Sequence, residues 1–309
     1  MDALTIHDPQ RGRAALRALE TVALSDGDLD PRERDLLELC RELLQLEEEP
    51  HVPIEPAELA SVIEDPAERR ALVQRMVILS FLDEKLDESE LEIVRAFARA
   101  LSVDDPSLAQ MRLFARGRYG LLAFHLMRHG FLADPIRRTW KEQGFRGLAR
   151  LVAAGRGKAD PEVAARYAPL ASFPPETLGG GLYAYWKNNG FALPGEPGGV
   201  PEVALFHDVG HVLAGYGTDP TGECEMAGLE AGYMGEDGFS VAVLALLIFQ
   251  VAAPLPRVQP AKGGFDLRRF VAAWERGKAM RVDLRKMDFV EHFEKDTILL
   301  RALVGMLAS

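Results

Sequence analysis

His207-Asp208-Val209-Gly210-His211-Val212-Leu213-Ala214-Gly215-Tyr216-Gly217-Thr218-Asp219-Pro220-Thr221-Gly222-Glu223 is the stretch on which the reading of this chain turns. Two imidazoles stand four residues apart beside a carboxylate, and a second carboxylate returns twelve residues after His211. On a helix, His207 and His211 project from one face, close enough for both to reach one ion. Gly215, Gly217 and Gly222 interrupt that helix, and Asp219-Pro220 starts another, with Asp as cap and Pro at the first helical position. Glu223 then falls in the first turn of the new helix, folded back toward the histidines. Asp208, three residues from His211, can turn in as a ligand or orient a histidine as a hydrogen-bond acceptor. Two nitrogens and two oxygens suit Zn2+ and do not exclude iron or manganese. The competing reading, a capped helix with two core histidines, does not account for four metal-type ligands at this spacing.

Outward from this stretch the pattern stays helical. Upstream, Leu193 to Pro201 is a Gly- and Pro-rich loop, and Thr177-Leu178-Gly179-Gly180-Gly181 reads as a loop-to-helix junction with an aromatic face. The glycines lack the Lys-Ser/Thr and the preceding strand of a phosphate loop. Downstream, the apolar run Phe239 to Ala253 contains Gln250 and stops at Pro254. A bilayer span needs roughly 20 apolar residues, so a buried helix is expected, as core in preference to a cavity wall. Tyr119 to Ala133 forms an apolar helix whose His125 and His129 share the four-residue spacing without a companion carboxylate, and they read as packed histidines. From Asp134 to Ala154 a basic amphipathic helix places Ile136, Trp140, Phe145, Leu148, Leu151 and Val152 on its apolar positions. Docking on the acidic N-terminal part is favoured for it over docking on an anionic membrane.

The N-terminal third is a repeat. Leu16, Leu19, Val22 and Ala23 keep helical spacing, as do Leu36, Leu37, Leu39, Cys40, Leu43 and Leu44. Between them, Asp30 is a natural N-cap, Pro31 takes the first helical position and Glu33 completes a capping box. Fifty-seven residues on, Leu82-Asp83-Glu84-Lys85-Leu86-Asp87-Glu88-Ser89-Glu90 repeats the turn, aligning Asp26 with Asp83, Asp30 with Asp87 and Glu33 with Glu90. Glu47 to Glu58, with Pro50, Pro53 and Pro56, reads as a loop between the two hairpins. A helix from Pro106 closes the bundle. Asp26, Asp28 and Asp30 alternate like the start of a calcium loop, but Pro31 stands where that loop needs Gly and Leu37 where it needs Glu, so capping is the better account.

The chain has 309 residues, a comfortable length for two domains, and an all-α fold divided into 1–115 and 116–309 is expected. Its net charge of −11 is uneven. Residues 1–110 carry 12 Lys and Arg against 26 Asp and Glu, whereas residues 111–309 carry 24 against 21. Such an acidic surface repels phosphates, so nucleic acid is not an expected partner, and a protein partner for the acidic domain is. Two cysteines make no disulfide framework, and Met1 is followed by polar sequence, which points to a cytoplasmic protein.

Two resemblances follow from these motifs. Ala23-Leu24-Ser25-Asp26-Gly27 with Glu33, within the repeated hairpin, resembles the tellurite-resistance TerB-like family over roughly residues 10–112, which implies an accessory or interaction module. His-Asp-x-x-His, eleven residues and Glu resemble the signature of the fourth coenzyme Q (ubiquinone) biosynthesis protein family. Leu178-Gly179 with Tyr183, Gly215-Tyr216-Gly217-Thr218-Asp219 and Ala273-Trp274-Glu275-Arg276-Gly277-Lys278 look like that family's flanking segments, over roughly residues 135–309. The resemblance implies an all-α domain, zinc held at His207, Asp208, His211 and Glu223, an apolar cavity for a prenylated substrate, a homodimer, and a peripheral place at the inner membrane face. The activity it implies is oxidative decarboxylation at ring carbon C1 of a polyprenylated hydroxybenzoate. Two other functions are weighed against it: a non-catalytic lipid-binding or complex-organising protein with structural zinc, and a metal hydrolase with Asp208 as base and Glu223 as third ligand.

Overall fold

A computed structural model describes residues 8–82, 86, 88–129, 133–154, 156–255 and 261–306. As the sequence predicts, the fold is all-α, with no strand among the described residues. Among the described residues, six helices open on an Asp-Pro pair, at residues 8, 30, 65, 105, 160 and 219, and in each the Asp side chain accepts one or two backbone N–H groups of the first turn. Those donors have no partner inside a helix, so the pair sets the start of the element from local chemistry alone.

The chain divides into two compact units. The first comprises Met1–His129 with Ala242–Leu267, the second Gly130–Val241 with Arg268–Ser309. The first unit holds α1 (Pro9–Ala23), α2 (Pro31–Leu44), α3 (Pro56–Val62), α4 (Pro66–Leu82), α5 (Glu88–Ala100), α6 (Pro106–Ala115) and α7 (Tyr119–His129). At the first acidic turn the capping box is present: Arg32 N–H donates to Asp30 Oδ1 at 2.9 Å, and Asp30 N–H to Glu33 Oε2 at 3.0 Å. In the second copy, Asp83 to Lys85 and Asp87 lie outside the described residues, and Glu90 is buried as Glu33 is. Pro56 begins α3, so the proline-rich loop ends earlier than Glu58. Leu19, Leu36, Leu72, Met76, Phe81 and Phe97 fill the core between these helices.

The second unit contains α8 (Ala133–Ala154), α9 (Pro161–Tyr167), α10 (Leu178–Asn188), α11 (Leu205–Ala214), α12 (Pro220–Tyr233), the start of α13 (Gly238–Ala245), α14 (Leu267–Lys278) and α15 (Thr297–Val304). Gly144 breaks α8 with φ 58° and ψ −144°. Gly179 to Gly181 lie inside the first turn of α10, which Thr177 caps. Close approach explains two further glycines. A Cβ at Gly232 of α12 would stand 2.2 Å from Trp274 O of α14, and one at Gly277 of α14 would stand 2.1 Å from Leu229 O. The two helices cross backbone to backbone there.

The apolar run after Phe239 is buried, as core, but it is not one helix. α13 passes into a π-helical turn, Leu246–Gln250, and from Ala242 the chain belongs to the first unit. Gln250 is 3% exposed and its Nε2 donates to Leu82 O at 2.6 Å. Leu82 ends α4, where carbonyls lack an intrahelical partner, so a polar residue within an apolar run satisfies a helix terminus.

Candidate metal centre

Three helices build the site. α10 contributes Tyr185 and Trp186, α11 contributes His207, Asp208 and His211, and α12 contributes Glu223 and Glu230. α11 ends at Gly215, and its last carbonyls are held from outside. Arg301 Nε donates to Leu213 O at 2.7 Å, Arg301 Nη2 to Val212 O at 3.2 Å and Arg276 Nη1 to Ala214 O at 3.1 Å. Cations there satisfy orphan acceptors and the negative end of the helix dipole together. The return turn is tight because Gly222 packs on Gly217, where a Cβ would stand 2.3 Å from Gly217 O. That contact folds the first turn of α12, with Glu223, back over α11.

The hydrogen bonds fix both tautomers. His211 Nδ1 lies 3.1 Å from Tyr216 O, and His207 Nδ1 lies 2.8 Å from Glu230 Oε1. A carbonyl and a carboxylate oxygen accept, so each Nδ1 carries a proton, and an imidazole without a second proton turns its Nε2 lone pair inward. These two Nε2 atoms stand 3.2 Å apart. Glu223 Oε2 is 3.1 Å from His207 Nε2, and Glu223 Oε1 is 3.5 Å from His211 Nε2. With both imidazoles neutral, two lone pairs and an anion converge at this range and favour a positive charge, metal ion or proton, between them.

Geometry distinguishes what that charge can be. Four-coordinate zinc with bonds of roughly 2.0–2.1 Å separates neighbouring ligand atoms by about 3.3 Å. The separations of 3.1, 3.2 and 3.5 Å bracket that edge. Among the described residues, His207, His211 and Glu223 are the only group of three or more His, Cys, Asp and Glu able to hold a metal ion. A proton can also occupy the centre. Burial works against a charged His207, but the carboxylates of Glu230 and Glu223 prevail and hold its pKa well above 6.5. Burial alone would raise Glu223, yet hydrogen bonds from His207 and His211 bring its carboxyl down to about 2.

Asp208, expected among the ligands, lies outside this group. It is buried, and its Oδ2 accepts the indole N–H of fully buried Trp186 at 2.7 Å. Burial raises its pKa above 3.8, partly offset by that hydrogen bond. Asp208 thus ties α11 to α10. Glu230 was not singled out from the sequence, although it lies seven residues after Glu223, two turns along the same helix face. The Tyr185 ring stacks on His211, with centroids 5.5 Å apart and planes at 22°, and closes one side of the imidazole. Burial, then the carboxylates of Asp208 and Glu223, raise the Tyr185 phenol pKa and keep it protonated. Of the other histidines, His51 bonds Glu20 at 2.9 Å, while His7 and the side chain of His129 lie outside the described residues. Comparison with protein-family models, curated proteins and solved structures yields no match to this chain.

Proposed function

We propose that this chain holds one divalent transition metal, zinc first, through His207 Nε2, His211 Nε2 and a Glu223 oxygen. We further propose that it serves ubiquinone or prenyl-lipid metabolism, acting on a polyprenylated hydroxybenzoate-type acid. The observation that carries the metal is the pair of inward Nε2 lone pairs 3.2 Å apart with the Glu223 carboxylate against both. Three protein ligands on a four-coordinate ion leave one position for exchange, the pattern of reactive sites more than of closed structural ones. The substrate class rests on the resemblance of this motif, His207, Asp208, His211 and Glu223, to the coenzyme Q biosynthesis family.

When bound, the metal supplies Lewis acidity toward the oxygens of an anionic substrate. The chain's own residues do the rest. Glu230 and Tyr216 O keep both Nδ1 protons in place, Tyr185 shields the His211 face, and the buried Asp208–Trp186 bond fixes α11. The reaction proposed releases the C1 carboxylate as carbon dioxide and puts a hydroxyl in its place, its oxygen taken from water, with the two electrons and two protons passed to dioxygen as co-substrate, which leaves as hydrogen peroxide. The hydrolase reading needs Asp208 as the base for an attacking water, and the Trp186 hydrogen bond speaks against that role.

Elemental analysis of the purified protein tests the first half; a preparation free of transition metal that also binds none on titration would remove the site. Complementation of a strain lacking C1 decarboxylation, with wild type and Glu223→Ala compared, tests the second. Rescue by wild type alone is expected. Rescue that survives the substitution would assign the chain to the non-catalytic, complex-organising reading.

A further inference from the structure

The first unit, acidic in sequence, contains a cavity whose lining is cationic. Arg116, just past the end of α6, reaches Glu88 at the start of α5 at 3.7 Å, so the two helices run antiparallel. Between them lies a groove of about 460 Å³, lined by Arg95 and Arg99 of α5, Asp104 and Asp105 of the turn, Arg112 of α6 and His125 of α7. Arg95 and Arg99 stand one helical turn apart and share a face. All of these residues belong to the same compact unit.

The acids of the lining do not cancel these cations. Asp105 is buried, and both its oxygens are engaged: Oδ1 accepts Ser107 N–H at 3.0 Å and Ser107 Oγ–H at 2.6 Å, and Oδ2 accepts Arg70 Nε–H at 3.1 Å and Gln74 Nε2–H at 3.0 Å. Arg95 pairs with Glu92 at 2.9 Å. Arg99 and Arg112 are exposed and form no ion pair among the described residues, which leaves Asp104 as the acid in the lining that opposes them. Each of the two lies in the last turn of its helix, where the dipole favours a cation. That preference accounts for each position singly and not for both facing one cavity. A guanidinium presents paired N–H donors that match phosphate oxygens, and a phosphate monoester carries about 1.5 to 2 negative charges at neutral pH, close to what two arginines supply. The groove is the size of a small-molecule site and larger than a phosphate ion alone. Its surroundings disfavour a polymer or a membrane. Residues 1–110 carry 26 acids against 12 bases, a field that repels an extended polyanion, whereas a compact anion inside the groove meets the guanidiniums at short range.

We infer that the groove between α5, α6 and α7 is a binding site for a phosphorylated small molecule, with Arg99 and Arg112 holding the phosphate. The inference stands on the first unit alone and is independent of the metal and of the reaction proposed above.

Inorganic pyrophosphate is the probe, titrated calorimetrically into full-length protein near neutral pH and at low salt, with sodium chloride at equal ionic strength as the blank. Saturable binding that weakens with added salt is expected. Arg99→Gln and Arg112→Gln should each lower the affinity about five-fold, and together about ten-fold or more, with an unchanged melting temperature because both side chains are exposed. Asp104→Asn removes the opposing charge and should raise the affinity about two-fold. Arg13→Gln is the control, since Arg13 pairs with Glu49 elsewhere on the same unit, and it should leave binding unchanged. Absence of saturable binding, or a loss at Arg13 as large as at Arg99 and Arg112, would overturn the inference. Binding that survives the paired Arg99→Gln and Arg112→Gln substitutions but disappears in Glu223→Gln would overturn it by placing the anion at the metal centre.

Discussion

Replacing Glu230 by Gln tests whether the centre is organised as its hydrogen bonds indicate. The side chain is 5% exposed, and its Oε1 receives His207 Nδ1–H at 2.8 Å. Gln can still accept that proton but lacks the charge that fixes the Nδ1–H tautomer and strengthens Nε2 as a donor to metal. A hydrogen bond to a buried charge contributes about 1.5–3 kcal/mol, and at roughly 1.4 kcal/mol per decade this predicts zinc affinity lowered about 10- to 100-fold. Asp208→Asn is the opposite case. Asn keeps an oxygen for the Trp186 indole, and because the aspartate is turned to Trp186, zinc affinity should move by less than about three-fold. Glu223→Gln removes a charged ligand and should weaken binding more than either. The assay is zinc titration against a competing chromophoric chelator at pH 7.5, with circular dichroism to confirm folding. The order Glu223, Glu230, Asp208 is therefore expected. A larger loss at Asp208 than at Glu230 would refute the reasoning and return Asp208 to the ligand set.

Trp186→Phe should cost about 1–3 kcal/mol in chemical denaturation, because the buried Asp208 carboxylate loses its donor; the loss should shrink in the Asp208→Asn background. Gly232→Ala should destabilise by about 1–3 kcal/mol or more, since the new methyl would meet Trp274 O and Gly277 Cα, backbone atoms that cannot swing aside; an unchanged midpoint would show that α12 and α14 can separate freely. Arg75 is 2% exposed in α4, and its Nε and Nη2 have no hydrogen-bond partner; Arg75→Met should be neutral or stabilising by up to about 4 kcal/mol in thermal and denaturant unfolding. Burial would raise Asp283, but hydrogen bonds from Arg285 bring it below 3.8. A depressed folded pKa gives stability that is complete above the unfolded value and lost as pH falls through the folded one. Unfolding followed between pH 5 and 2 should therefore lose its dependence on this group in Asp283→Asn, leaving a shallower decline below about pH 4.

Helix starts were legible in the sequence because their cause is local. Asp30-Pro31 and Asp219-Pro220 cap their own first turns, and no distant residue is needed to see it. His207, His211 and Glu223 were legible for a related reason, since four residues of helix and one glycine turn bring them together. The partners of these side chains were not. Trp186 reaches Asp208 from another helix, 22 residues earlier, and Arg301 reaches the end of α11 from 88 residues later; such pairings arise only when helices pack. The same limit explains Ala242–Leu267. Its apolar run indicates burial, but which core receives it depends on Leu82 O lacking a partner at the end of α4, 168 residues away from Gln250. Spacing within one helix-turn-helix thus identifies which atoms can face an ion. Whether a carboxylate such as Asp208 faces that ion or a neighbouring indole is decided by the third helix, and it is there that ligand and support exchange roles.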